Sequence, residues 1–298
     1  MLSRTGTCFL VFSVPAAMVA LSGCTSGGWG GANYRETRTM SLPAVTSAPV
    51  TVETANGSII VSSDTSLTGI ECSVEIKANT DERLKAAKVV TEASPEGRLV
   101  FRVSWPGDGR VGSEGASFTI RMPSVNNPVL TSSNGSIVLR GATGPAVLKS
   151  SNASLTVEDL AGPLTANSSN GSITAKGVAG SIDAQTSNAS VEVVDCAPAG
   201  DWLRVATSNG SIEVRPSAAF KGVLTLKTSN ASVGVWLPDS FAGSIAASTS
   251  NAAVTFDDFP NTSQVKEGKT KRSLTFATPG PESSIKTSNG VVKVHRIN

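Results

Sequence analysis

Thr186-Ser187-Asn188-Ala189-Ser190-Val191-Glu192-Val193 is one copy of a repeat that decides the fold. It returns as Thr207-Ser208-Asn209-Gly210-Ser211-Ile212-Glu213-Val214 and as Thr228-Ser229-Asn230-Ala231-Ser232-Val233-Gly234-Val235. The asparagines of the series are Asn134, Asn152, Asn170, Asn188, Asn209, Asn230, Asn251 and Asn289, at intervals of 18, 18, 18, 21, 21, 21 and 38 residues. A cousin stands at Asn56. A fixed interval near 20 residues is the mark of a solenoid.

Aligned on the asparagine, the columns read as strands. Three residues later stand Ile137, Leu155, Ile173, Val191, Ile212, Val233, Val254 and Val292. Five later the column is Leu139, Val157, Ala175, Val193, Val214, Val235, Phe256 and Val294, with mixed residues between. That is period two, a strand with one face inward. Upstream, the fourth and sixth positions before the asparagine are mostly apolar, and the second is always Ser or Thr. Each repeat therefore holds two short strands and two turns. Upstream parity puts the asparagines and these hydroxyls on one inward face, stacked as ladders. Hairpins are the rival, since Asn-Gly favours a type I′ turn, but Asn-Ala in half the repeats does not. The expected fold is all-β: a parallel β-solenoid of 18–21-residue rungs with an inward Asn and Ser/Thr ladder.

Outward from the repeat, residues 126–298 read as the solenoid and 35–125 as a β-rich N-terminal cap. In the cap, Ile70, Cys72, Val74 and Ile76 alternate on a strand. Thr80 caps a short helix with Asp81 and Glu82 in its first turn. A hairpin follows around Ser94-Pro95-Glu96-Gly97. The 38-residue interval after Asn251 hides a degenerate rung or a loop. Its Lys266, Lys269, Lys271 and Arg272 are a solvated excursion or a contact for anionic wall polymer.

Composition agrees with a thin β protein. Of 298 residues, 5% are aromatic and 16% charged, and the formal net charge is +2. No concentrated basic surface for nucleic acid is implied. The single histidine, His295, makes a Ser-His-Asp triad or a His-rich zinc site improbable. No metal, cofactor or catalytic residue is expected, and the protein reads as a non-enzyme. Asp257-Asp258 and Glu158-Asp159 are read as solvated turns. Cys72 and Cys196 fall in apolar columns and read as buried thiols, with a disulfide as the alternative.

The N-terminus reads as an address. Cys8 to Ala20 is apolar but too short to span a bilayer, and it fits a signal-peptide core. Leu21-Ser22-Gly23-Cys24 resembles the lipobox of bacterial lipoproteins. That resemblance implies cleavage after residue 23, acylation of Cys24 and a lipid anchor in the cell envelope. Thr25, in place of Asp, implies the outer membrane in a Gram-negative host. Residues 24–34 are a Gly/Ser-rich tether.

With the columns laid out, residues 40–298 resemble a bacterial family known as "putative adhesins", a domain of unknown function with β-strand repeats. The resemblance rests on the Thr-Ser-Asn-Gly-Ser-Ile repeats, Val50-Thr51-Val52-Glu53-Thr54-Ala55-Asn56-Gly57-Ser58-Ile59, Phe118-Thr119-Ile120-Arg121-Met122-Pro123 and Ile285-Lys286-Thr287-Ser288-Asn289-Gly290. It implies non-catalytic binding, to a surface glycan or another envelope protein. The alternative is a scaffold of self-associating rods, and a polysaccharide-acting enzyme ranks third. Trp236 beside Arg215 is the one candidate ligand surface, a place where a sugar ring would stack. Phe220 and Phe241 share a column and read as a satellite core at the turn.

Overall fold

The structure is a computed structural model, and it describes residues 17–22, 34–44, 48–93, 97–196 and 202–297. The first strands are β1 (Ala17–Ser22), β2 (Tyr34–Pro43), β3 (Pro49–Glu53), β4 (Ile59–Ser63) and β5 (Gly69–Ala78). The helix α1 (Asp81–Ala86) follows, then β6 (Lys88–Ala93), β7 (Leu99–Ser104) and β8 (Gly115–Met122). The repeats come next as strand pairs. These are β9 (Val125–Ser132) with β10 (Ile137–Thr143), β11 (Ala146–Ser150) with β12 (Leu155–Ala161), and β13 (Leu164–Asn167) with β14 (Ile173–Val178). Then come β15 (Ile182–Gln185) with β16 (Val191–Cys196), β17 (Trp202–Ala206) with β18 (Ile212–Pro216), β19 (Val223–Lys227) with β20 (Val233–Pro238), and β21 (Ser244–Ser248) with β22 (Val254–Phe256). The chain ends in β23 (Thr262–Glu267), β24 (Lys271–Phe276), β25 (Glu282–Lys286) and β26 (Val292–Ile297).

Each repeat gives one strand to each of two parallel stacks. The first runs β7-β3-β9-β11-β13-β15-β17-β19-β25-β21. The second runs β8-β4-β10-β12-β14-β16-β18-β20-β26-β22. The parallel solenoid expected from the periodicity is what the chain forms, and the hairpin reading of the Asn-Gly turns falls. The apolar columns meet between the stacks, with Leu139, Val157, Ala175, Val193, Val214 and Val235 all fully buried. Ten rungs at about 4.8 Å make a rod about 43 Å long.

Spatial order departs from chain order at both ends. The Asn56 segment, grouped with the cap in the sequence reading, is a rung of the stack, flanked by the β7–β8 rung outside and β9–β10 inside. At the other end the last rung, β25–β26, lies between β19–β20 and β21–β22. The 38-residue interval is therefore neither a degenerate rung nor a loop. The chain steps over one level, lays down β21–β22, turns through the β23–β24 hairpin and returns to fill the level it skipped.

Antiparallel strands line both stacks at the first end and the first stack at the second. β6 lines β7, and β5 lines β8 with β2 beyond it. β24 lines β21 with β23 beyond it. Such strands satisfy the backbone groups that an end rung leaves open. At the first end, Thr80 accepts a bond from the Arg83 N–H, as its capping position predicts. Glu114, fully buried, accepts two bonds from the Arg83 guanidinium at 2.6 and 2.8 Å and two from the backbone N–H groups of Val111 and Asn79. The guanidinium and these donors hold its carboxyl down at about 2. At the second end Phe220 stacks on Phe241, which meets Phe276 edge-on, which in turn meets Phe259. This is the satellite core expected for Phe220 and Phe241, enlarged by the hairpin.

The two cysteines are free and buried. Burial pushes the Cys72 thiol up to about 12 and the Cys196 thiol up to about 11. β1 pairs antiparallel with β2. The Cys24 lipidation position falls outside the described residues.

Candidate binding surface

The repeated corner is built around the inward hydroxyl. Ser132, Ser168, Thr186, Thr207, Thr228, Thr249 and Thr287 are buried. Most of these hydroxyls donate to the carbonyl of the residue after the asparagine one rung below. Examples are Thr186 to Gly171 at 3.0 Å, Thr207 to Ala189 at 3.0 Å and Thr287 to Ala231 at 2.9 Å. In the rungs that turn on glycine, the same oxygen accepts the glycine N–H, as Thr207 does from Gly210 at 3.2 Å. One buried hydroxyl thus ties its own corner and the next.

The asparagines do not share that face. The inward Asn ladder is corrected here: Asn134, Asn152, Asn170, Asn188, Asn209, Asn230, Asn251 and Asn289 are all exposed. The strand ends at the hydroxyl, and the chain bends through the three residues Ser-Asn-Gly or Ser-Asn-Ala. The bend uses up one step of the alternation, so the amide emerges on the solvent side. The ladder itself is real. Each amide nitrogen donates to the amide oxygen one rung below, at 2.6 to 2.8 Å, from Asn251 through Asn289, Asn230, Asn209, Asn188, Asn170, Asn152 and Asn134 to Asn56. Asn56 closes it by donating to the carbonyls of Gly112 and Glu114.

Serines flank the amides on both sides. Ser133, Ser151, Ser169, Ser187 and Ser208 precede them and are exposed; Ser136, Ser154, Ser190 and Ser232 follow two residues later and are exposed too. The corner is a lane of hydroxyl, amide and hydroxyl without a charge, repeated in the six rungs from Asn134 to Asn230. An amide has two N–H donors and two acceptor lone pairs, and the ladder uses one of each. The other donor and acceptor recur about every 4.8 Å.

The second candidate lies on the outer face of β18, β20 and β26. The structure brings Arg215 and Trp236 together, with the guanidinium carbon 4.1 Å from the ring centre. Arg215 also reaches Glu213 at 3.3 Å. His295, which sequence order hid, stacks on the opposite ring face, with centroids 4.9 Å apart. It stands there because the last rung fills the skipped level. Both faces of Trp236 are covered by its own neighbours, so the face on which a sugar would stack is taken. The trio reads as a seam between the last rung and the one below. Beside it, Arg296 binds Asp239 through two bonds at 2.6 and 2.7 Å and holds that carboxyl below its usual range.

Among the described residues, no group of three or more His, Cys, Asp or Glu is placed to hold a metal ion. No helix among the described residues is long and apolar enough to cross a membrane.

Fold and surface together define a capped, two-stack parallel β-solenoid with a polar lane along one corner. No family model matches the chain, and no curated protein matches it. Nine chains of solved structures do match. One, named a putative adhesin, comes from Bacteroides fragilis; it is 10% identical, covers 88% of this chain and 97% of its own, and has a TM-score of 0.43. A second from Parabacteroides distasonis, named a putative lipid binding protein, is 16% identical over 91% of this chain and 98% of its own, with a TM-score of 0.45. Another from that organism, named a putative adhesin, is 11% identical over 88% and 97%, with a TM-score of 0.40. These neighbours carry names of binding proteins, not enzymes. At such scores the fold rests on this chain's own strand pairings.

Proposed function

We propose that the protein is a lipid-anchored rod of the cell envelope that binds a surface glycan without turning it over. The Ser-Asn-Ser lane carries the reading: it offers a hydroxyl-rich polymer a donor and an acceptor at every rung. The anchor is the acylated Cys24, with residues 1–23 as its removed leader; β1 leaves with that leader, and β2 is then the outer strand of the cap. Two or more acyl chains give lasting attachment, since each buried methylene adds about 0.8 kcal/mol. Location in the outer membrane follows where the host has one. A nucleic-acid partner is no part of this reading, since the formal net charge is only +2. A scaffold of rods joined end to end is the weaker reading, for antiparallel strands occupy both ends; side-by-side pairing keeps it alive as an outcome.

The test measures saturable binding of the Cys24→Ser chain to a panel of purified envelope glycans, with sedimentation of the protein alone beside it. Binding that Ser169→Arg abolishes at unchanged melting temperature is the expected result. A panel without a single hit, together with concentration-dependent self-association, would replace the adhesin by the scaffold. New reducing or unsaturated ends would make it an enzyme.

A further inference from the structure

The last rung does more than fill a level. It sets Lys286 directly beside Lys227 on the outer face of the first stack. The next residue in that row is Ser248, and the next is Lys271 of the hairpin. Lys227 and Lys286 share the column three residues before the asparagine but lie 59 residues apart in the chain, and Lys271, 15 residues before Lys286, belongs to no column of the repeat. Lys227, Lys271 and Lys286 are all exposed. Ser284, Ala246 and Ser273 form the neighbouring row, so hydroxyls and one small side chain floor the space between the long ones. A depression of about 240 Å³ opens there, lined in part by Ser248, Ser273, Lys271, Lys286, Arg272 and Glu267.

Directly paired lysines set this patch apart. Several outward arginines elsewhere stand against acids: Arg140 with Glu158, Arg121 with Asp64 and Glu71, and Arg215 with Glu192 and Glu213. Among the described residues, none of Lys227, Lys271, Lys286 and Arg272 forms an ion pair. The Arg272 Nε is buried without a hydrogen-bond partner. Like charges on directly paired residues destabilise a sheet, and an unmet buried donor costs more. Three lysines and two serine hydroxyls facing one acid make a surface complementary to an oxyanion; Arg272 has the parity of the buried Leu274 and Phe276 and lies on the other face of β24.

We infer that this end of the first stack binds the oxyanions, phosphate or carboxylate, of an acidic envelope glycan. Lys227, Lys271 and Lys286 supply the charge, and Ser248 and Ser273 supply neutral donors. The inference rests on the glycan-binding reading above and names the chemical class of its ligand. The patch lies at the end of the rod opposite the N-terminal cap, and so faces away from an anchor at Cys24.

The experiment uses the Cys24→Ser chain and three probes: polygalacturonate, neutral dextran and inorganic phosphate. The expected result is saturable binding of polygalacturonate but not dextran, weakened by added salt and displaced by phosphate. The double variant Lys227→Gln/Lys286→Gln should lose about tenfold or more in affinity while its melting temperature holds or rises, because a like-charge contact has gone. Lys149→Gln, in the same row but near the middle of the rod, should bind as the parent does. Equal losses in Lys149→Gln and the double variant would mean diffuse attraction and overturn the site. So would polygalacturonate binding that the double variant leaves intact. Dextran bound and polygalacturonate ignored would overturn the acidic ligand while leaving glycan binding standing; no binding to any glycan, here or in the panel, would take both. Saturable binding of phosphate with no polymer bound would assign the site to a free anion and reject the polymer.

Discussion

At the residue scale, the corner inverts the roles that the repeat suggests. Asparagine is the invariant letter, yet its amide lies in water and its bonds compete with hydration. The hydroxyl two residues earlier is buried and holds two backbone groups. Thr207→Val keeps the shape but strands the Gly210 N–H and the Ala189 carbonyl, and should cost about 1–3 kcal/mol. Asn209→Ala breaks two exposed amide bonds, to Asn188 and from Asn230, and should cost less than about 1 kcal/mol. Urea midpoints at constant slope give both numbers, and the reverse ranking would return the amide to the interior. The sequence held the means to see this. Counting up from the apolar positions before the corner puts the asparagine inward. Counting back from Ile212 and Val214, three and five residues after it, puts it outward. The two counts conflict because Ile212 lies five positions, an odd step, after Thr207, and only a bend absorbs an odd step. The upstream count alone gave the wrong face.

At the element scale, the order of rungs was also written in the chain. Along the sequence the residue after the asparagine runs Gly171, Ala189, Gly210, Ala231, Ala252, Gly290, and the alternation fails once. In space the order is Gly210, Ala231, Gly290, Ala252, and from Gly135 onward the alternation is whole. The cause is close approach. A Cβ on Gly210 would lie 1.8 Å from the Ala189 carbonyl oxygen, and one on Gly290 would lie 1.7 Å from that of Ala231. A glycine corner in this conformation leaves no room for a Cβ against the carbonyl below it, and Gly135 meets the same limit over Gly57, at 1.9 Å. Gly210→Ala should therefore destabilise the rod by about 1–3 kcal/mol, the usual cost of overpacking, though the next corner carries alanine naturally. An unchanged melting temperature would show that the corner yields. What the sequence does not show is the hairpin's part, because β24 pairs antiparallel with β21 and obeys no column of the repeat. Charges, too, become neighbours only through the inserted rung: His295 over Trp236, and Lys286 beside Lys227. Chain truncation after residue 281 should accordingly do more damage than loss of one rung of ten. It removes the level on which β21–β22 rests, and with it the seat of Arg296 on Asp239. Loss of the native fold past that level, read by proteolysis of residues 239–281, is expected; a protected segment there would mean that β21–β22 closes the gap by itself.

At the scale of the molecule, a stack of rungs is only as secure as its ends, since each rung is stabilised by its neighbours and the outermost has one alone. The second end relies on an aromatic cluster and ion pairs at its surface. The first relies on a buried charge. Glu114 has no exposure and depends on Arg83 and two backbone donors. Its carboxyl is held at about 2, below the ordinary 4.5. A depressed carboxyl contributes stability that is fully present above the unfolded value and is lost as the pH falls through the folded one. The shift corresponds to about 3 kcal/mol. The cap should therefore hold unchanged from neutrality down to about pH 4.5 and weaken progressively towards pH 2. Glu114→Gln removes the titrating group and leaves Arg83 over a neutral amide. That variant should be less stable at pH 7 by about 3 kcal/mol and should show a flatter acid limb than the parent. Hydrogen exchange locates the effect: amides of β5, β8 and α1 should lose protection first, before those of the middle rungs. Parallel acid limbs in parent and variant would mean that other carboxylates govern the acid sensitivity of this end, and that the buried pair serves only to fix the 105–114 segment against the helix.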